Sequence, residues 1–378
     1  MDHTSFSQIV IDIIVVFMII AGLDRITHGK LKLGLADSFN EGIEALGALA
    51  LSMLGILSLA PALVGPITKV VGPIYRLVGA DPAMFAGAFL SSDMGGYPLA
   101  MSMTSDPDVG CFSGIILGAL LGIVIVFTIP VALGILRPED RKYLAQGVLY
   151  GVITVPIGGV VGGFVAGYDA SMILVNSIPT LIIAILLALG IKFIPNGMIK
   201  GFDIFGKLIV SLISVGLVCA IIEELTGFVI IPGMAPISDG YTVIGNIAIV
   251  LAGAFPMVAV IKRVFRKSFD KIGEKVGINS VAVTGFIASL ANVIPMLTTM
   301  KDMDERGKIL NCAWAVSAAF MLGDHLAFTA SVEKELIGAM IAAKAASGIC
   351  AVLLAYFATR HLASPMPEAV KADAGSEE

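Results

Sequence analysis

Apolar residues fall into eleven long segments, and short polar or charged stretches separate them. The segment 110–136, for example, contains no charged residue and exceeds the roughly 20 residues that cross the apolar core of a bilayer. The pattern therefore predicts an all-α polytopic membrane protein. The approximate spans of the segments are 6–26, 42–65, 82–104, 110–136, 143–167, 170–191, 201–222, 242–261, 278–299, 308–330 and 335–359.

Composition supports this class. Of the 378 residues, 57% are hydrophobic and only 14% are charged, whereas ordinary soluble domains carry roughly 25% charged residues. The first segment has no Lys or Arg before it and no small-residue cleavage site after it, so we expect a retained helix rather than a signal peptide. The protein is therefore expected to lie in the lipid bilayer as a multi-pass membrane protein.

The chain contains an internal repeat. Sliding the sequence by 198 residues superposes six glycines on six others, and a one-residue shift then continues the match from Pro98 to Pro295. We interpret 6–167 and 201–360 as two membrane repeats, joined by a linking transmembrane helix within 168–200. The remaining residues, 361–378, are small, polar and acidic and are predicted to form a disordered cytoplasmic tail. The matching glycines are Gly29 and Gly227, Gly42 and Gly240, Gly47 and Gly245, Gly55 and Gly253, Gly79 and Gly277, and Gly87 and Gly285.

The distribution of Lys and Arg decides how the segments are threaded, because cytoplasmic loops are enriched in these residues. Eleven full crossings would fit that rule poorly. If 82–104 and 278–299 instead enter and leave the membrane on one side, twenty basic residues lie on one face and three on the other. We therefore predict nine crossings and two re-entrant hairpins, with the N-terminus outside and the C-terminus inside. The two repeats, of about five elements each, are then inverted, as in many secondary transporters.

The tip of the first hairpin carries a charge into an apolar region. The stretch "FLSSDMGGYPLAM" (89–101) places Asp93 near the middle of the membrane, where an unpaired charge costs several kcal/mol. We interpret Asp93 as part of a substrate site, with the glycines exposing backbone carbonyls. Alternatively, Asp93 is a turn residue that caps the second half-helix. The site residues predicted at this tip are Ser92, Asp93, Gly95, Gly96 and Tyr97.

A second candidate cluster lies in "MLGDHLAFTA" (321–330). Asp324 would supply a carboxylate to a cation site, with His325 beside it and Phe328 one turn along the same face. Alternatively, the buried Asp–His pair satisfies itself. The second hairpin tip, "SLANVIP" (289–295), has Ala291 where the repeat register places Asp93, and Asn292 beside it. The two tips thus differ in chemistry, as an asymmetric ligand would require.

Other features limit the classes of function. Midplane carboxylates, an aromatic residue and acidic outer loops favour a small cationic amine. Lys344 is expected to pair with a carboxylate across the bundle. The four cysteines are far apart in apolar segments, and no Walker A motif, catalytic triad or nucleic-acid signature is present. We therefore expect no catalytic residue, no cofactor, no metal and no nucleic-acid partner.

Four stretches resemble the ethanolamine permease family of bacterial ethanolamine-utilisation (Eut) operons. They are "GAFLSSDMGGYPLA" (87–100), "PVALGILRPEDRKYLAQGV" (130–148), "ANVIPM" (291–296) and "KDMDERGKILNCAWAVSAAFMLGDHLAF" (301–328). The resemblance covers about 5–360 and implies uptake of ethanolamine across the bacterial cytoplasmic (inner) membrane.

Ethanolamine is a protonated amine with one hydroxyl, and each part has a candidate partner. Asp93 or Asp324 would pair with the ammonium, and Tyr97 or Phe328 would offer a cation–π face. The hydroxyl would bond to Asn292 or His325. We expect a permease that works by alternating access, forms a homodimer and is not an enzyme. The alternative is a channel-like facilitator for ethanolamine or another small amine or cation.

Overall fold

In the computed structural model, the described residues form helices joined by turns and contain no strand. These residues are 3–362, without the side chains at 3–5, 199, 266–270, 272 and 274. Within that part, eight helices are long and apolar enough to cross a membrane. The all-α membrane class predicted from the sequence is therefore confirmed. The predicted disordered tail, 361–378, lies outside the described residues except for its first two positions.

Fourteen α-helices are numbered here in chain order, and α5 includes turns of the wider π type over 112–122 and 124–128. The helices are α1 (His3–Ile26), α2 (Ala36–Leu77), α3 (Met84–Phe89), α4 (Tyr97–Met103), α5 (Pro107–Ile135), α6 (Arg141–Val165), α7 (Ala170–Phe193), α8 (Pro195–Thr226), α9 (Ile237–Val276), α10 (Ser280–Ala291), α11 (Val293–Thr299), α12 (Glu305–Ala318), α13 (Asp324–Val332) and α14 (Ile337–Ala358). The eight candidate spans contain α1, α2, α5, α6, α7, α8, α9 and α14.

Polar side chains explain where several of these helices begin. Asp169 accepts hydrogen bonds from the first amides of α7, and Asn279 accepts one from the amide of Ala282 at the start of α10. Asp304 does the same for α12 through the amide of Gly307. Such residues satisfy amides that have no partner within the helix. The short polar stretches between apolar segments thus set the helix boundaries.

The two ends of the segment predicted as the first hairpin lie next to each other. The hydroxyl of Thr104 donates to the Oδ2 atom of Asp81 over 3.0 Å, so the residue after α4 lies against the residues before α3. The chain between them runs inward along α3, turns at 90–96 and returns along α4.

The second predicted hairpin has the same form. Helices α10 and α11 meet at Asn292, whose backbone is extended (φ −152°, ψ 139°). At the open end, the Nδ2 atom of Asn279 donates to the carbonyl of Asp302 over 3.0 Å. In each of the two segments, the residues before the first short helix therefore lie close to the residues after the second.

The segment 308–330 differs from the single crossing helix expected there. It is divided into α12 and α13 by a non-helical break at 319–323, where Phe320 has a φ of 63°. The second hairpin supplies the missing partners, because the amides of Phe320 and Leu322 donate to the carbonyls of Ser289 and Leu290 over 2.9 and 2.8 Å. An interrupted helix in an apolar region requires such partners.

Matched close contacts connect the two halves of the chain. A Cβ atom on Gly42 would lie 2.5 Å from the backbone of Ala252, and one on Gly240 would lie 2.7 Å from Leu54. These contacts pair the start of α2 with a later part of α9, and the start of α9 with a later part of α2. The two long helices therefore run antiparallel where they meet.

A second matched pair of contacts involves the outer helices of each half. Gly55 of α2 lies against the carbonyl of Ile213 on α8, and Gly253 of α9 lies against the carbonyl of Ile14 on α1. By contrast, Gly47 and its match in the repeat, Gly245, face open space. The same contacts thus occur twice, with α1 and α8 exchanging roles.

These glycines allow a matched stability test. Replacing Gly55 or Gly253 with Ala is expected to lower the free energy of unfolding by about 1–3 kcal/mol, because the new methyl group overlaps a backbone carbonyl. Replacing Gly47 or Gly245 with Ala should leave it unchanged or slightly higher, since Ala favours helix and nothing is displaced. Thermal unfolding of the purified variants in detergent measures the difference, and equal midpoints for all four would contradict the packing.

Candidate functional site

The tip of the first hairpin is a wide turn that depends on glycine. Residues 92–96 form the turn, and Gly95 has a φ of 91°, a conformation that other residues adopt only with strain. A Cβ atom at Gly95 would also stand 2.2 Å from a side-chain carbon of Ile56. On the other side, the carbonyl of Leu90 lies where a Cβ of Gly122 in α5 would be. The turn therefore fits between α2 and α5 only without these side chains.

This turn holds Asp93 inside the protein, with 8% of its surface exposed. The hydroxyl of Ser91 donates to the Oδ1 atom of Asp93. The Nε2 atom of His325 lies 3.2 Å from the Ser91 hydroxyl and 3.6 Å from the same Asp93 oxygen. His325 and Ser91 thus connect α13 to the hairpin tip around one carboxylate.

The connection continues to a buried lysine. The Nζ atom of Lys344 on α14 lies 3.0 Å from the Nδ1 atom of His325 and donates to the carbonyl of Ala119 on α5 over 2.5 Å. Both His325 and Lys344 are completely buried. A protonated Lys344 donates to Nδ1, so Nε2 of a neutral His325 carries the proton and donates toward Ser91 and Asp93. Lys344, His325, Ser91 and Asp93 are thus joined by hydrogen bonds.

A cavity of about 480 Å³ ends at this carboxylate and is called here the Asp93 cavity. Asp93, Asn292 and Asp324 line its buried end, and Phe127 and Phe320 add aromatic surface. Its exposed end contains acidic residues from the first turns of α2, which are Glu41 and Glu44. The cavity thus brings together the tips of both hairpins and the start of α13.

Asp324 differs from Asp93 in its partners. It is partly exposed, and within the described residues its carboxylate has no hydrogen bond or ion pair to another side chain or backbone group. It occupies the first turn of α13, where the helix dipole favours a negative charge. Asp324 therefore presents a carboxylate that is open to a ligand.

A second cavity, of about 590 Å³, is called here the Glu333 cavity and includes Asp108, Tyr168 and Glu333. Asp108 stands at the start of α5, which follows the open end of the first hairpin and so lies near the end of α2. The Asp93 cavity opens near the beginning of α2. The two cavities therefore lie at opposite ends of the bundle, and none of their described lining residues is shared.

Tyr97 and Phe328 lie toward the Glu333 cavity. Their rings pack edge to face at 5.9 Å, and the hydroxyl of Tyr97 donates to Oε1 of Glu333 over 2.8 Å. Phe328 is completely buried, and neither residue lines the Asp93 cavity. The aromatic residues at that cavity are Phe127 and Phe320, whose rings also meet edge to face, at 5.6 Å.

The structure thus divides the nine predicted site residues. Asp93, Asn292 and Asp324 meet at one cavity, His325 lies behind Asp93, and Tyr97 and Phe328 lie toward the other cavity. Ser92, Gly95 and Gly96 are buried in the turn itself. Their roles in binding stay predictions.

Sequence reasoning did not assign Ser91, Phe127 or Phe320 to the site. It singled out Lys344 without identifying its partner. A lysine within an apolar segment was the available signal, but the residue that it contacts is distant in sequence.

Metal binding has no support among the described residues, where no three His, Cys, Asp or Glu side chains form a group that could hold an ion. The four cysteines form no disulfide bond, and three of them are buried.

Known sequences match this protein over most of its chain. The family model described as "Ethanolamine utilisation protein, EutH" matches residues 6–358. A protein of Listeria monocytogenes named "Probable ethanolamine permease EutH" is 52% identical over 94% of this chain and 95% of its own length. Its namesake in Salmonella typhimurium is 44% identical over 92% and 94%. "Uncharacterized protein YxeR" of Bacillus subtilis is 46% identical over 86% and 88%.

No solved structure matches the chain. The relatives are named as permeases, and the expectation that the chain is not an enzyme is confirmed by the family. The family resemblance inferred from the four sequence stretches is also confirmed, because the match extends over nearly the whole chain. This protein belongs to the EutH family of ethanolamine utilisation proteins.

Proposed function

We propose that this protein is a secondary transporter that takes up ethanolamine across the bacterial cytoplasmic membrane. The observation that carries the proposal is the buried end of the Asp93 cavity, where two carboxylates and an amide meet inside a membrane protein. Charged groups at such a depth are costly and mark substrate or ion sites. The names of the relatives identify ethanolamine as the amine in this proposal.

The binding chemistry follows from the parts of the substrate. The ammonium group pairs with a carboxylate at the end of the cavity, and the amide of Asn292 bonds to the hydroxyl. Phe127 and Phe320 supply an aromatic surface on which a cation can rest. An anion would not be held by two carboxylates, so the site selects a small cationic amine.

The other predicted site residues support the binding site at the buried end of the Asp93 cavity. His325 orients Asp93, and Ser92, Gly95 and Gly96 form the turn that carries it. Tyr97 and Phe328 pack edge to face, and the bond from Tyr97 to Glu333 holds this pair toward the Glu333 cavity.

The architecture in our proposal is an inverted repeat with two re-entrant hairpins. The antiparallel meeting of α2 with its counterpart α9, and the matched glycine contacts, support the inversion. The bonds from Thr104 to Asp81 and from Asn279 to Asp302 support hairpins that enter and leave at one end. The repeats are 6–167 and 201–360, and 168–200 links them.

The Lys and Arg distribution supports an N-terminus outside and a C-terminus inside. With this orientation the Asp93 cavity opens to the cytoplasm and the Glu333 cavity to the outside.

Two cavities that open at opposite ends without shared lining residues support alternating access. In such a cycle the site is open to one side at a time, and inverted repeats provide the two related conformations. We also propose a homodimer. If the part of each subunit that carries the hairpins moves during transport, the dimer contact would hold the rest of the subunit in place. The alternative, a channel-like facilitator, requires one continuous path.

Replacing Asp93 with Asn is expected to reduce ethanolamine uptake by at least about tenfold, because it removes negative charge from the end of the cavity. Uptake of labelled ethanolamine into proteoliposomes measures the effect. The matched control is Asp239→Asn, since Asp239 is exposed at the start of α9 and lies in neither cavity. Normal uptake by the Asp93 variant would exclude it from the site.

Thiol labelling tests the topology. In a cysteine-free background, cysteines at Arg76 and Asp106 should both react with an impermeant reagent in intact cells, because they flank the first hairpin. Cysteines at Lys275 and Lys301, which flank the second hairpin, should react only after the membrane is opened. Reaction of positions 76 and 106 from different faces would contradict the re-entrant hairpin.

Unlabelled ethanolamine loaded inside proteoliposomes is expected to accelerate entry of labelled ethanolamine, because a carrier returns faster when it is occupied. Liposomes without protein provide the control. Single-channel currents carried by the amine, with no such acceleration, would favour the channel-like alternative.

A further inference from the structure

We propose that Asp324 is the carboxylate that exchanges a proton for the ammonium group of the substrate, and that Asp93 is internally neutralised by Lys344. This inference rests on the proposed function and assigns separate roles to the two carboxylates. It goes beyond that function by specifying what the carrier binds when the amine is absent.

Asp93 already has partners for its charge. Ser91 donates to its Oδ1 atom, and His325 lies 3.6 Å from the same oxygen. His325 in turn contacts the ammonium of Lys344 over 3.0 Å. The carboxylate is thus the end of a hydrogen-bonded chain whose other end is a buried cation.

Among the described residues, Lys344 forms no direct ion pair with a carboxylate. Its two described contacts are neutral acceptors, the carbonyl of Ala119 and the imidazole of His325. A buried ammonium is stable only if an opposite charge lies close by. Asp93 is the carboxylate that the imidazole connects to it, so the two form a neutral pair across His325.

Asp324 is left as the free carboxylate at the buried end of the same cavity. The ionisable groups that face the cavity are Asp93 on the hairpin, Asp324 on α13 and, at the exposed end, Glu41 and Glu44 on α2. The contributions of α5, α9 and the second hairpin carry no ionisable group, since they are Ile123, Phe127, Phe255, Asn292 and Ile294. Behind Asp93, the contacts lead to His325 and from His325 to Lys344.

Charge neutrality then explains an exchange. With the Asp93–Lys344 pair neutral, an ionised Asp324 would leave one uncompensated negative charge on a partly exposed carboxylate at the inner end of the cavity, beside Asp93. A proton or an ammonium group on Asp324 removes that charge. When the amine binds from outside, the proton leaves the Asp324 carboxyl oxygen, the electron pair of the O–H bond stays on the carboxylate, and water carries the proton to the outside. When the amine leaves into the cytoplasm, a proton returns to Asp324 from the end of the cavity that contains Glu41 and Glu44. The ammonium keeps its own protons.

The role of Lys344 as a positioning residue can be tested by deleting charges singly and in pairs. Asp93→Asn leaves a buried cation, and Lys344→Gln leaves a second buried anion, so each should reduce uptake by about tenfold or more. The double variant D93N/K344Q removes both charges and is expected to recover uptake to within about threefold of the wild type. D324N and D324N/K344Q should both stay at background.

Two results would overturn this assignment, provided that the thermal midpoints show folded variants. One is D93N/K344Q remaining as inactive as D93N, which would make Asp93 itself the ammonium partner. The other is recovery of uptake in D324N/K344Q. If the wild-type protein does not transport ethanolamine at all, the proposed function fails instead.

Proton release by the wild-type protein provides a test that needs no variant. Calorimetric titration with ethanolamine in buffers of different protonation enthalpy should show close to one proton released per amine at acidic pH. The release should fall toward zero as the pH rises, because Asp324 is then already ionised. Binding that releases no proton anywhere between about pH 5 and pH 8 would contradict the exchange.

Discussion

Inside an apolar bundle, a polar group has to find its partner within the protein, and this constraint accounts for the less regular parts of the structure. The chain from Asp93 through Ser91 and His325 to Lys344 is the strongest example. It joins the first hairpin, α13 and α14, and it ends on a carbonyl of α5. The elements that build the site are therefore held together by the same charges that would otherwise destabilise them.

The break between α12 and α13 obeys the same rule. Its free amides use the carbonyls of Ser289 and Leu290, so the second hairpin and the broken helix stabilise each other. The break places Asp324 at the start of a helix instead of within one. A ligand-accessible carboxylate and the second hairpin tip thereby reach the same cavity.

The two halves share a framework but differ in charge. Matched glycine contacts recur in both halves, and both hairpins close through polar bonds at their open ends. The two predicted hairpin tips differ in charge, since one carries Asp93 and the other carries Ala291 and Asn292. In the proposed inverted repeat, the symmetric framework would allow two related conformations, whereas the proposed substrate, with an ammonium at one end and a hydroxyl at the other, would need different groups on its two sides.

The sequence by itself determined the spans, the turn residues and the acidic positions, because hydropathy, glycine and helix capping are local properties. The spans containing α1, α2 and α5 to α9 follow from the lengths of the apolar segments, and the tip at Gly95 follows from a glycine pair in an apolar run. Only the tertiary structure decided the partners. Ser91 and His325 are 234 residues apart, and Lys344 is 225 residues from the carbonyl that it contacts. Neither the break at Phe320 nor the position of Tyr97 near Glu333 has a local signal, because both depend on groups that distant segments bring into contact.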